Sequence, residues 1–314
     1  LIFEALGAFV LSFRFVPDYG WGEGIWMAVF TSVSAFCNAG FDLMGDKTGE
    51  FSSMTAYSGD PIVCLTIPLL IIIGGLGFFV WQDIKDNRFR FRKYELHTKL
   101  VLIMTAILGV VPTLVIMLAE NDLPWKERVF SSFFTAVTPR TAGFNVLPLS
   151  GAGSVKSVTI LLTIVLMFVG GSSGSTAGGI KTVTFGLLII AAFRVARGNR
   201  DVVVMKRRVD TGSLLRALSI TVISLMIICF GAFLISLVDG ITFEDVLFET
   251  FSAFGTVGVT TGVTTQFSYF GKLLLMAMMF FGRVGILTIT YEIMIGLHSE
   301  KEPLRRPKAE FLIG

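Results

Sequence analysis

The residues best placed to do chemistry form three variants of one theme: SAFCNAGFD at 34–42, AVTPRTAGFN at 136–145 and SAFGTVGVTTG at 252–262. Glycine takes up positive φ at low steric cost, and its neighbours can then turn their carbonyl oxygens toward a common axis. Oxygens so arranged replace the water shell of a monovalent cation, so the chemistry indicated is ion coordination rather than catalysis. The candidate ligands are the backbone carbonyls around Cys37, Asn38, Ala39 and Gly40, around Thr141, Ala142 and Gly143, and around Thr256, Val257 and Gly258, with side chains mattering less. One glycine beside one helix end reads most simply as a cap; three at matched positions read as a filter. A tetrameric potassium channel carries two filter glycines, as TVGYG, whereas these loops carry one each, so a looser filter with fewer ion sites is expected.

Two further features are costly in apolar surroundings. GGSSGSTAGGIK at 170–181 breaks an apolar run into halves of roughly a dozen residues. Irregular backbone at membrane depth survives only where protein or a water-filled cavity satisfies its polar groups. The segment approaches the phosphate-binding pattern GxxxxGK[ST], but Ile180 separates Gly179 from Lys181 and no strand precedes it. A glycine-rich packing kink is the plainer alternative. Arg283, in MMFFGRVGILT, sits near the middle of an apolar run, where a charge costs about 2.5–3.5 kcal/mol on insertion scales. It is either ion-paired, with Glu292 or a carboxylate of another helix, or faces a pore. Cys37, Cys64 and Cys229 show neither disulfide nor metal-ligand spacing, and His97 and His298 read as solvated residues at helix ends.

The elements that must position these residues are membrane spans. Hydrophobic residues make up 53% of the 314 positions, mean hydropathy is +0.76, and the charged fraction of 16% is well below that of soluble domains. Apolar runs of about the 20 residues needed to cross a bilayer lie at 1–15 (short), 61–81, 100–119, 158–196 (interrupted), 214–238 and 270–297. Shorter stretches at 24–36, 125–137 and 243–254 run directly into the three glycine motifs, and their carboxyl ends, each about half a negative charge, point at the loops. The order span, half-helix, loop, span recurs with the glycines 103 and 115 residues apart, an internal repeat of transmembrane units. The units are 1–81, 97–196 and 213–298, followed by a tail at 299–314.

Lys85, Arg88, Arg90, Arg92, Lys93 and Lys99 cluster in one connection, and Arg194, Arg197, Arg200, Lys206, Arg207, Arg208 and Arg216 in another. The tail adds Lys301, Arg305, Arg306 and Lys308. The positive-inside rule makes all three regions cytoplasmic and puts the glycine loops on the outer side. The outward connections carry Asp18, Glu23, Asp42, Asp46, Glu50, Asp60, Glu120, Asp122, Asp239, Glu244 and Asp245, which form either an acidic vestibule for cations or ordinary solvated loop charges.

NAGF, TAGF and TVGV in repeated loops, with GGSSGSTAGGIKT, FFGRVG and the closing PKAEFLIG, resemble the Trk/Ktr/HKT superfamily of potassium transporters, and within it the Ktr-type membrane subunit. The resemblance runs the whole length of the chain. It implies an all-α polytopic membrane protein in which four helix–pore loop–helix units surround one central pore, of which three are present here. It also implies a gating role for Gly171, Ser172, Ser173, Gly174, Ser175, Thr176, Ala177, Gly178, Gly179 and Lys181, and a pore-narrowing role for Arg283. Further implications are a homodimer in the cell membrane, a cytoplasmic carboxyl terminus and a cytoplasmic ring of nucleotide-binding regulatory subunits. The basic connections serve either that ring or topology and anionic lipid.

Spacing points to a piece of a longer chain. The first span of the later units starts 43 or 44 residues before the glycine, yet only 39 residues precede Gly40, and the chain opens with Leu1. The expected function is potassium passage through a carbonyl filter gated by the glycine-rich loop. A sodium-coupled or less selective monovalent cation carrier is the alternative. Apart from transported potassium, and sodium in the alternative, no metal, cofactor or nucleic-acid partner is expected. The spans hold no paired carboxylates, HExxH or GxSxG, so no enzyme is expected.

Overall fold

A computed structural model describes residues 1–285 except 89, 152 and 200. In hydrocarbon only a helix satisfies its own backbone, and the apolar runs fold accordingly. Helix α1 (Ile2–Tyr19) turns at Gly20 into the short α2 (Trp21–Phe36), and a loop carrying α3 (Gly45–Thr48) leads to α4 (Pro61–Gly75) and α5 (Phe78–Asn87). Next come α6 (Leu96–Ala119), the short α7 (Trp125–Val137), and α8 (Ser157–Phe168) with α9 (Thr182–Ala196) on either side of the glycine-rich segment. Then α10 (Thr211–Asp239), the short α11 (Phe243–Gly255) and α12 (Tyr269–Val284) complete the described chain. The end of the 270–297 run, Glu292, His298 and the tail 299–314 lie outside the described residues, as does Arg200.

Helices α6 and α10, with 24 and 29 residues, are long and apolar enough to cross a membrane; at 1.5 Å per residue they reach about 36 and 44 Å. Their exposed side chains include Leu114, Leu118, Phe230, Phe233 and Leu237, a surface matched to lipid. The short α7 and α11 turn most of their carboxyl halves inside, whereas α2 buries one face and leaves Trp21, Trp26, Val29 and Val33 exposed. Phe134 on α7, Phe248 on α11 and Met27 on α2 are fully buried together with Phe15, Ile67 and Phe144.

The run at 61–81 reads in the sequence as one span, but the chain turns by 90° between α4 and α5. Gly77 takes φ +84°, and the groups a continuing helix would pair internally are taken by the glycine-rich segment. Ser172 N donates to Gly75 O at 3.0 Å, the Ser172 hydroxyl donates to Leu76 O, and Phe78 N donates to Gly174 O at 3.1 Å. A second departure is a two-stranded hairpin, β1 (Val203–Val204) with β2 (Arg207–Arg208), in the connection after α9. Its turn residues Met205 and Lys206 both have positive φ, as a tight hairpin turn of right-handed twist requires. His97, expected to be solvated, is half-buried, and its Nε2 has no hydrogen-bond partner among the described residues.

Asp60 starts α4 and ties it to α1. One carboxylate oxygen accepts from Ile62 N at 2.9 Å and Val63 N at 3.2 Å, Pro61 fills the first helical position, and the other oxygen takes Arg14 Nε at 2.7 Å. Asp60→Ala is expected to cost about 1–2 kcal/mol and Asp60→Asn, which keeps the cap and loses the ion pair, less than half of that. Thermal unfolding of the detergent-solubilised protein checks the order.

Candidate functional site

Each short helix ends where a glycine motif begins, and the three motifs share one backbone device. Two residues before each glycine stands a residue that is itself left-handed: Asn38 at φ +52°, Thr141 at +67° and Thr256 at +52°. The glycines follow at +74° for Gly40, +95° for Gly143 and +92° for Gly258. The residue between them sends its N–H back to the helix end: Ala39 to Ser34 O at 2.9 Å, Ala142 to Thr138 O at 3.1 Å and Val257 to Ser252 O at 2.9 Å. A Cβ on Gly40 would lie 1.8 Å from Ala142 O, and one on Gly143 would lie 2.3 Å from Val257 O. The carbonyl before one glycine therefore lies against the glycine of the preceding motif, and the loops stand side by side in chain order.

The succession stops after Gly258, which faces open space. Between the first and third loops lies a cleft of about 710 Å³, lined by Asn38, Ala39 and Phe41 on one side and by Thr256, Val257 and Gly258 on the other. The residues after the glycines record the same asymmetry: Phe144 and Val259 are 0% and 2% exposed, Phe41 71%. Hydroxyls brace the two covered loops, Thr138 to Phe144 O and Ser252 to Val259 O, both at 2.6 Å. The hydroxyl of Ser34, at the position of Ser252 in the first loop, has no partner among the described residues.

The segment 169–181 is a folded loop lying against these motifs. Gly170 N donates to Ile180 O at 2.9 Å and Thr182 N to Gly171 O at 3.0 Å, closing its neck. Inside it, Ser175 Oγ donates to Ser172 O at 2.7 Å and Lys181 Nζ to Ala177 O at 2.8 Å. Its far part reaches the filter candidates: Thr176 Oγ1 donates to Asn38 Oδ1 at 3.0 Å, and a side chain at Gly178 would overlap the Thr256 hydroxyl. Ser173 and Gly174 abut Gly77 at the helix break. Gly179 N donates to Gly282 O at 3.2 Å, and the Arg283 guanidinium donates to Thr176 O and lines the cleft. Arg283 has no carboxylate partner among the described residues.

Most of the acidic residues are engaged locally. Arg14 pairs with Asp18 and Asp60, Lys47 with Glu23 at 2.6 Å, and Lys156 with Asp122 at 2.7 Å. The hydrogen bond to Glu23 raises the Lys47 ammonium above its ordinary range. Glu120 accepts from Lys156 N and from the Thr159 hydroxyl. These residues build loops rather than present free charge. Two residues bearing on the site carry no sequence signal beyond their type. Glu249 on α11 is buried and holds the chain beyond the third loop, accepting from Thr260 Oγ1 at 2.6 Å, Thr261 N at 2.9 Å and Thr264 Oγ1 at 2.7 Å. Arg140 is 5% exposed, and among the described residues its guanidinium makes only long contacts, to the Thr105 and Thr182 hydroxyls at 3.5 and 3.4 Å. An arginine in TPRTAGF reads as a loop charge until the tertiary fold covers it.

Spanning helices, inward half-helices and carbonyl-bearing loops define a polytopic helical membrane protein of the transport class. The chain belongs to the TrkH family of cation transport proteins, whose family profile matches residues 1–303. It is 39% identical over 318 residues to Ktr system potassium uptake protein B of Bacillus subtilis, covering 99% of this chain and 68% of that protein. It is 36% identical to the potassium/sodium uptake protein NtpJ of Enterococcus hirae, covering 100% of this chain and 70% of that protein. The crystal structure of the potassium transporter TrkH from Vibrio parahaemolyticus has the same fold, with TM-score 0.71 at 16% identity. The match covers 92% of this chain, which spans 62% of that one.

Added side chains at the three glycines should not be equivalent in this chain. Each forces an L residue into the left-handed region at about 1–2 kcal/mol, but at Gly40 and Gly143 the Cβ also strikes a carbonyl. Gly40→Ala and Gly143→Ala are therefore expected to lower the unfolding temperature in detergent more than Gly258→Ala.

Proposed function

We propose that this chain is the pore-forming part of a potassium uptake system, passing the ion between the loops around Gly40, Gly143 and Gly258. The observation that carries the reading is the shared pair of left-handed residues in all three motifs, with the carbonyl before one glycine lying against the preceding glycine. Carbonyls in that disposition replace hydration oxygens, and the carboxyl ends of α2, α7 and α11 add partial negative charge where the ion loses water. The potassium uptake named in the B. subtilis relative supports the choice of ion, and the potassium/sodium name of the E. hirae relative supports sodium as a second cargo.

In this reading 1–81, 97–196 and 213–298 are three equivalent units, and the cleft between the first and third loops takes a fourth. The loop 169–181 is the gate: it lies against Asn38 and Thr256, and around Thr176 it is held mainly by side chains. Arg283 acts with it, as a positive charge on the permeation path that also grips the Thr176 carbonyl. The basic connections face the cytoplasm by the positive-inside rule, and there the protein docks a nucleotide-binding regulatory ring as a homodimer. The name of the B. subtilis relative, protein B of a Ktr system, supports a further protein component.

Flux of potassium, rubidium and sodium into vesicles tests the reading directly. This chain is expected to show no potassium preference, whereas the same chain extended by a fourth helix, half-helix, loop and helix unit shows one. Equal selectivity in the two would overturn the fourfold arrangement. In the extended protein, deletion of 171–181 and Arg283→Ala should each raise flux, by removing an obstruction and a repelling charge. Unchanged flux from a folded deletion protein would make the loop a packing element.

A further inference from the structure

The glycine-rich loop is held in two ways that differ in kind. Its neck is closed by backbone bonds from Gly170 N to Ile180 O and from Thr182 N to Gly171 O, with Thr182 Oγ1 to Gly170 O at 2.9 Å beside them. Beyond the neck, backbone bonds also tie Ser172 N to Gly75 O, Phe78 N to Gly174 O and Gly179 N to Gly282 O, whereas the stretch around Thr176 is held mainly through side chains. Thr176 Oγ1 donates to Asn38 Oδ1 at 3.0 Å, with a longer contact to Gly74 O at 3.5 Å, and Arg283 donates to the Thr176 carbonyl. The same Asn38 amide donates from Nδ2 to Arg140 O at 3.2 Å, immediately before the second loop's Thr141. One side chain therefore touches the first loop, the second loop and the gating loop at once.

The matched positions show what is particular to Asn38. Thr141 and Thr256 have the same left-handed backbone, yet their hydroxyls have no hydrogen-bond partner among the described residues. A threonine side chain is one bond shorter, and a single oxygen must serve as both donor and acceptor. An asparagine separates the two functions and can bond in both directions at once.

We propose that Asn38 is the positioning residue that couples the gate to the filter: its amide grips Thr176 of the glycine-rich loop and the Arg140 carbonyl of the second loop through its two ends. The stretch around Thr176, held mainly by side chains between those backbone ties, is the element that moves. When Thr176 leaves, the Asn38 amide loses its orienting partner and the tie between the first two loops slackens. Loop position and ion preference are then linked, and by linkage an ion seated between the loops favours one loop position. The inference rests on the reading of these loops as a cation path with 169–181 as its gate.

The test uses the full-length transporter in vesicles, with rubidium flux and rubidium-over-sodium preference measured for wild type, Thr176→Val, Thr176→Ser, Asn38→Leu and the double variant Asn38→Leu/Thr176→Val. Losing one ordinary hydrogen bond shifts the docked population by about five-fold, so Thr176→Val and Asn38→Leu should each raise flux by about that factor. The double variant should do no more than either alone, because both remove the same bond. Thr176→Ser, which keeps the hydroxyl, should retain wild-type flux and preference, while Thr176→Val and Asn38→Leu should both lower the preference, Asn38→Leu more because it also loses the bond to Arg140 O. Multiplying effects in the double variant, or serine behaving like valine, would overturn the coupling. A folded wild type that carries no rubidium would instead sink the underlying reading. Should Asn38→Leu not fold, Asn38→Thr, which installs the residue of the other two loops, gives the same comparison.

Discussion

Backbone that leaves the helix inside a membrane must find its hydrogen bonds elsewhere in the protein, and the architecture follows from how this chain meets that demand. It leaves the helix within its apolar runs at the three glycine motifs, at the turn between α4 and α5, and across 169–181. The irregular segments are satisfied by helix ends and by one another. The loops return their N–H groups to the ends of α2, α7 and α11, and the turn at Gly77 gives its carbonyls to Ser172 while Phe78 takes Gly174 O. The unusual pieces are accordingly found together, since no other part of a lipid-solvated protein has free donors and acceptors to offer.

The same demand explains why polar side chains concentrate where they do. Thr138 and Ser252 brace the loops from behind, Glu249 collects two hydroxyls and an N–H, and Thr182 stitches the neck of the glycine-rich loop. Their contribution is to fix irregular backbone by bonding its carbonyls and N–H groups. Arg140 and Arg283 bring positive charge to the edges of this acceptor-rich region without a carboxylate partner among the described residues. Surrounding carbonyls and hydroxyls supply what stabilisation their guanidinium groups receive.

Much of this was legible in the order of residues. Apolar length marks α6 and α10 as crossing helices, shorter apolar runs ahead of glycine mark α2, α7 and α11, and a polar, glycine-rich interruption marks 169–181, because hydrophobic burial and backbone satisfaction act on local composition. The glycines Gly40, Gly143 and Gly258 announce positive φ for the same local reason. The left-handed Asn38, Thr141 and Thr256 do not, since side chains normally disfavour that region and only the bonds returning to the helix ends impose it. Nor could composition show the break at Gly77, in a run otherwise apolar enough to continue. The carbonyls that end α4 are claimed by residues about a hundred positions later. The sequence by itself determined a membrane-spanning, helical chain with three matched loops. Which loop lies beside which, where the open face falls, and that one asparagine joins two filter candidates to the glycine-rich loop were decided by tertiary structure, because a hydrogen bond depends on where its partner stands in space.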